Sequence, residues 1–423
     1  MAVLSKAVTW LQGAPVIENT CQETFHTWSD NCHMAWLTAV PNGFKFSLKT
    51  YATFYMASLL LSNKGDIRKI DWKKYAKDVL RSTVFLTMNL VYYVMFLCRI
   101  RQLLGFYSIP NIGYANGIVA SFLAIILEKK SRRGSLALYL TNLASETMYR
   151  QLVNHGYLKF IPGGTFIPLS IGLAIFKYLG SNNRLEKGLR GIVSTALQEN
   201  PKAANHSVKM IGKAVQRALP SSFRTMIEQL KAEYSRDLRC DHDHSCVYNA
   251  TKTFTHNATI GLFLSSLLTI VGNIKKPTKI VGALLSKKNL QLPVFFGLMP
   301  LIYNSTRCAI NRVPVADTTR DVISAFAAGS AMTVYPSISI SMFTMWKAFE
   351  ALYGDMVDRG YLRWFKHGDT LLYSLSTGYV LGCAAIALFN RHHFDFYGAE
   401  SSKLYGIPDV DYHPGHEMMK ICL

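Results

Sequence analysis

Two short tracts of the chain carry side chains that could bind a metal ion or form cross-links. One is "CDHDHSC" at 240–246, which supplies Cys240, His242, His244 and Cys246. The other lies near the start and supplies Cys21, His26 and Cys32, with His33 beside them. Thiolate and imidazole are ligand types of tetrahedral zinc. The spacing C-x-H-x-H-x-C is not that of a standard finger, however, and alternate residues of an extended chain point opposite ways. Three readings stand side by side. The tracts hold zinc; or they form disulfides, within or between them, if that side is oxidising; or they are exposed residues with no shared role. Cys98, Cys308 and Cys383 lie in or beside apolar runs and read as small buried hydrophobes.

Glu146 and Glu350 form a second constellation. Both fall in moderately apolar helical runs, where a carboxylate is costly and should face a partner or a watery cavity. As a membrane-buried pair they could bind a cation or polar headgroup, or relay protons. The plainer reading pairs each along its own helix, Glu146 with Arg150 and Glu350 with Lys347. Gly113, Gly117 and Ser121 recur at every fourth position, as do Ser374, Gly378 and Gly382. Small residues on one stripe let helix backbones approach closely. The chain has no Walker loop, no dinucleotide glycine fingerprint, no G-x-S-x-G and no H-E-x-x-H. No catalytic residue is assigned and no enzyme is expected.

The elements that must position these residues are apolar runs near 43–62, 84–98, 112–127, 134–150 and 164–180, then 256–274, 291–306, 319–335, 337–353 and 370–390. Several, such as "IGYANGIVASFLAIIL" (112–127), carry no charge and approach the roughly 20 residues of a bilayer span. Half of the residues are hydrophobic, yet the net charge is +20. A soluble nucleic-acid binder this basic would break its apolar residues into short amphipathic units. Here they clump and the basic residues cluster between them, so a bilayer is the expected partner and nucleic acid is not. The opening "MAVLSKAVTWLQGAP" lacks a long apolar core, so no cleavable leader is expected. The ending "MMKICL" is neither a prenylation box nor a peroxisomal address.

The runs come as five and five, and the chain says one thing twice. "HGYLKFIPGG" (155–164) returns as "RGYLRWFKHG" (359–368). At an offset of 204, Glu146 matches Glu350, Tyr149 matches Tyr353 and Ser170 matches Ser374. At 210, Phe85 matches Phe295, Tyr93 matches Tyr303 and Cys98 matches Cys308. Such duplication is common in transporters and channels. Basic loops at 63–83 and 275–290 occupy equivalent places; on one side of the membrane they would make the repeats parallel. One run in each five then does not cross, the first being a candidate because Lys45 and Lys49 interrupt it. The expected fold is an all-α polytopic helical membrane protein with two homologous halves in parallel. Its parts are an N-terminal Cys/His segment (1–42), a first repeat (43–180), a basic linker (181–255), a second repeat (256–390) and a polar tail (391–423). Within the linker, Val208, Ile211, Val215 and Leu219 share one helical face, as do Phe223, Met226, Ile227, Leu230 and Tyr234. These two amphipathic helices would lie on anionic lipid or on the protein's own face.

With "EKKSRRGSLALYLTNLASETMYR" (128–150), "HGDTLLYSLSTG" (367–378) and "HTWSDNC" (26–32), the chain resembles the transmembrane protein 135 family of peroxisomal and mitochondrial membrane proteins. The resemblance implies a multi-pass organelle membrane protein whose halves are similar to the mitochondrial inner-membrane import channel family. It implies a role in peroxisome organisation, lipid homeostasis and the balance of mitochondrial fission and fusion, with the dynamin-related fission GTPase as a candidate partner. It carries no catalytic residues. The duplication and the paired glutamates leave an alternative, a translocation pathway for a lipid-related or other small substrate between the repeats.

Overall fold

The computed structural model describes residues from 16 to 197 and from 240 to 397, with Thr225 and Gln229 between, and excludes short stretches within, of which 159–164 and 274–279 are the longest. Every apolar run is helical. The helices are α1 (Cys21–Thr24), α2 (Cys32–Ser62), α3 (Trp72–Leu104), α4 (Asn116–Ile125, entered through a π turn at Pro110–Ala115), α5 (Lys130–Asn154), α6 (Phe166–Ser181) and α7 (Lys187–Leu197). There follow α8 (Cys246–Gly272), α9 (Ile280–Leu284), α10 (Lys287–Ile310), α11 (Asp317–Ala328, continued by a 3-10 turn at Gly329–Thr333), α12 (Ile338–Asp358) and α13 (Gly368–Tyr397). The described strand content is one antiparallel pair, β1 (Val16–Ile17) with β2 (Tyr107–Ser108).

Local chemistry sets the helix ends. Asp71 caps α3 by accepting from the Lys74 amide at 3.0 Å, and Gly105, at φ 81°, closes it where a side chain would be strained. The basic segment expected as a loop at 63–83 is therefore mostly helix: Lys73, Lys74, Lys77 and Arg81 ride on the first turns of α3. The Asp71 cap starts the helix ahead of the apolar run.

The chain divides into two compact units, residues 1–159 with 365–423, and residues 160–364. These do not follow the sequence halves 43–180 and 256–390. The first unit holds α2 to α5 together with α13; the second holds α6 with α7 to α12. Each half thus gives up its last long helix to the other unit. In the first unit, α13 packs on α4 and α5 around Phe85, Ala124, Ile125, Ala137 and Tyr373. In the second, α6 packs on α11 and α12 around Leu169, Phe176, Phe295, Met299 and Met332. The seat is alike in both. Ser376 meets Thr141 at 3.1 Å; 204 positions away in each case, a Cβ on Gly172 would lie 3.0 Å from the backbone of Met345. Small residues are what admit the exchanged helix.

Among the described residues one helix, α3, is long and apolar enough to cross a membrane; Asn111–Ile125 and Phe166–Ser181 are apolar but shorter. The expected linker helices at 208–219 and 223–234 lie outside the described residues except for Thr225 and Gln229, and so does the tail beyond Tyr397.

Candidate metal centres

In each unit two long helices run antiparallel as a hairpin. Along α2 and α3, Tyr55 meets Ser82 and Gly43 faces Leu90. Along α8 and α10, Ser265 meets Asn289 and Gly261 faces Pro293. Antiparallel pairing brings the first residue of one helix beside the last turns of the next. Cys32, which opens α2, accordingly meets Cys98 near the end of α3, and Cys246, which opens α8, meets Cys308 near the end of α10.

The segment ahead of each hairpin completes the site. Cys21, His26, Cys32 and Cys98 form one cluster; Cys240, His242, Cys246 and Cys308 form the other. In each, one ligand atom from every residue lies within 4.8 Å of all the others. A tetrahedral ion with sulfur bonds near 2.3 Å holds its sulfurs about 3.8 Å apart. Cys240 Sγ and Cys246 Sγ are separated by 3.6 Å, and His242 Nε2 lies 3.2 Å from Cys308 Sγ. A disulfide needs sulfurs about 2.05 Å apart. The described cysteines are unbonded thiols, and in each cluster the sulfurs gather round one point, an arrangement that suits a shared ion.

The surroundings fit a cation. His26, almost fully buried, engages the Ser29 carbonyl through Nδ1 at 2.8 Å. With the proton on Nδ1, the lone pair is on Nε2, the usual outer contact of a metal-bound histidine. Tyr107, buried on β2, donates its hydroxyl to Cys21 Sγ at 3.1 Å, and the Arg101 guanidinium lies over its ring at 5.9 Å. Cys32 and Cys246 sit at helix N-termini, whose dipoles favour nearby negative charge. Three thiolates on a divalent ion leave one negative charge, and these groups offset it. Without a cation, burial pushes the Cys32 and Cys240 thiols up, which favours their neutral form.

Sequence reasoning missed Cys98 and Cys308. They are buried or half-buried in apolar helices, which is why they read as hydrophobes. The signal was their match at an offset of 210, each following its own Cys–His–Cys tract. His244 lies outside the described residues. His33 is exposed, edge-on to Trp36, and does not join the first cluster.

The other candidate residues separate by unit. Glu146 pairs with Arg150 at 2.8 Å along α5, in the first unit. Glu350 pairs with Lys347 along α12, in the second, with its side chain 44% exposed. Gly113 and Gly117 are brought against Gly382 and Gly378: a Cβ on Gly113 would lie 2.3 Å from the Cα of Gly382, and one on Gly117 would lie 2.9 Å from the Cα of Gly378. Ser374 is buried one turn earlier and donates to the Thr370 carbonyl at 2.7 Å.

Residues 18–153 match the family model described as the N-terminal cysteine-rich region of Transmembrane protein 135. All four residues of the first cluster fall inside that window. No solved structure matches the chain.

Proposed function

Because the chain belongs to the transmembrane protein 135 family, we propose that it is a multi-pass membrane protein of the peroxisome or mitochondrion whose two units are each closed by one zinc ion. In this reading it acts in peroxisome organisation, lipid homeostasis and the fission–fusion balance of mitochondria. It does so through partners, the dynamin-related fission GTPase among them, and not by catalysis. The halves are a duplicated unit, similar to the mitochondrial inner-membrane import channel family.

The observation that carries the reading is the pair of Cys3His clusters at the same place in two helical hairpins. Cys21, His26, Cys32 and Cys98 would hold one ion, and Cys240, His242, Cys246 and Cys308 the other. Four protein ligands leave no open position, so the ion supplies folding energy and not a reactive water. Each ion would tie the start of a hairpin to its end and to the chain ahead of it. Membrane residence is supported by α3 and by a lipid-like face on α8, where Phe263 and Leu268 are more than half exposed. Tyr157, Tyr361 and Trp364 are exposed beyond helix ends, as aromatic residues at a membrane interface are. The glutamates, each paired within its own helix, support partner recruitment over a translocation path.

Metal analysis of the purified full-length protein tests the reading, with one zinc per cluster expected. A metal-free protein with native unfolding behaviour would sink the zinc centres. Rescue of peroxisomal lipid composition in cells lacking the protein tests the role; equal rescue by wild type and by a Cys32→Ser, Cys246→Ser double variant would separate the role from the metal.

A further inference from the structure

The basic residues at the start of α3 do not stand alone. Arg81 donates its Nε hydrogen to the Leu127 carbonyl at 2.9 Å, and Asp78 meets Arg132 at 2.9 Å, so the first turns of α3 are tied to the corner between α4 and α5. That corner reads "EKKSRR" at 128–133. The two tracts make one surface, on which Lys73, Lys74, Lys77, Arg81 and Lys130 are all exposed. The carboxylates of these tracts are already engaged. Asp71 caps α3, Asp78 holds Arg132 and lies 4.0 Å from Lys129, and Glu128 is buried and accepts from Ser82 at 2.7 Å. Among the described residues no carboxylate pairs with Lys73, Lys74, Lys77 or Lys130.

The second unit builds the same frame with fewer charges. At an offset of 210, Lys73, Lys74 and Arg81 are matched by Ala283, Leu284 and Gln291, and at 204 Lys130 is matched by Val334. The frame therefore does not need these cations, and like charges gathered on one surface repel each other. The exposed face of α3 then changes character. Lys73 and Lys77 are followed on the same stripe by Leu80 and Val84, which are 53% and 39% exposed. Trp72, half exposed and edge-on to Tyr75, lies at the basic level. Between Arg81 and Arg99 the helix carries no charged residue. At 1.5 Å per residue that stretch is about 27 Å long, close to the roughly 30 Å of a bilayer's hydrocarbon.

We propose that this surface binds the headgroups of acidic phospholipids in the leaflet at the start of α3. Cations and a tryptophan just outside the charge-free stretch stand at headgroup level, where they meet phosphate and carboxylate oxygens. The proposal rests on the membrane residence argued above, and adds to it a lipid class and the residues that select it. None of these residues belongs to a metal cluster.

Full-length protein in detergent, titrated with dihexanoyl phosphatidylserine and separately with dihexanoyl phosphatidylcholine, tests it, with native mass spectrometry counting the bound lipid. Preferential binding of phosphatidylserine, weakening as salt rises, is expected. Lys73→Gln, Lys74→Gln, Lys77→Gln and Lys130→Gln together lower that preference by about tenfold or more, since one basic residue near a charged surface contributes about fivefold. Arg at the same four positions keeps it. Both variants retain the metal content of the wild type. Equal binding of the two lipids overturns the proposal, as does full preference in the folded Gln variant. Tighter binding of a hexaglutamate peptide than of phosphatidylserine assigns the surface to an acidic protein and overturns it too. Alkaline carbonate extraction of membranes reads the residence separately. Retention in the pellet without a phosphatidylserine preference sinks this inference alone; release from the membranes sinks the residence and this inference with it.

Discussion

His242 Nε2 lies 3.2 Å from Cys308 Sγ, although 66 residues separate them. The contact exists because α8 and α10 fold back on each other, so the end of the hairpin returns to the segment before it. Cys308 thereby joins the second cluster, as Cys98 joins the first. Cys98→Ala and Cys308→Ala should each remove one zinc per chain, and together both. Mass spectrometry of metal content reads this. Replacing Cys383, which is outside both clusters and accepts from Gln151 at 3.2 Å, should remove none.

Tyr107→Phe keeps the ring packing and deletes the hydroxyl that donates to Cys21 Sγ. Outer contacts of this kind tune affinity by about 10–100-fold. The first centre should lose zinc to a chelator at a lower chelator concentration while the second is unchanged. Competition titration with a chromogenic chelator measures both steps.

Metal removal should expose a pH dependence. Burial holds the Cys32 and Cys240 thiols above their ordinary range in the metal-free fold. The folded state then binds protons more tightly than the unfolded chain. Stability is full below the unfolded thiol pKa, about 8.5, and falls as pH rises toward the raised folded values. Chelated protein should therefore unfold at lower denaturant at pH 10 than at pH 7.5. Zinc-loaded protein, whose thiols have already lost their protons, should gain affinity for the ion as pH rises.

The close approach of α13 to the π turn before α4 leaves no room for a side chain at Gly113. Gly113→Ala forces one backbone off another, and overpacking of this kind costs about 1–3 kcal/mol. Gly134, on α5, has nothing within 4 Å of an added Cβ. Gly134→Ala should instead stabilise by about 0.5–1 kcal/mol, the helix preference for alanine. Equilibrium unfolding of the two variants should move in opposite directions.

Glu146→Gln and Glu350→Gln break pairs within single helices, worth about 0.2–0.5 kcal/mol each at most. Neither should change rescue of lipid composition, and their effects on stability should add, because the two residues lie in different units. Loss of rescue by both single variants, with a less than additive double, would restore a shared pathway.

The sequence by itself determined the helical character, because the apolar runs are far longer than the strands of a sheet, and every one of them is helical. It also brought out the recurring small residues and the two Cys–His–Cys tracts, since these are local patterns of residue type. It did not reveal which groups meet. Cys98 and Cys308 sit in apolar sequence and look like packing; only antiparallel closure of each hairpin turns them toward the tracts. The exchange of α6 and α13 is equally silent in the chain. Ser170 and Ser374 are the same residue at matching positions, so the stripe on either helix reads as fitting its own half. Backbone proximity at Gly113 and Gly382, and between Gly172 and Met345, is a property of the assembled unit, and the tertiary structure alone decided it. The same holds for Lys177, one cation in an apolar run, which meets Asp321 on a helix far along the chain.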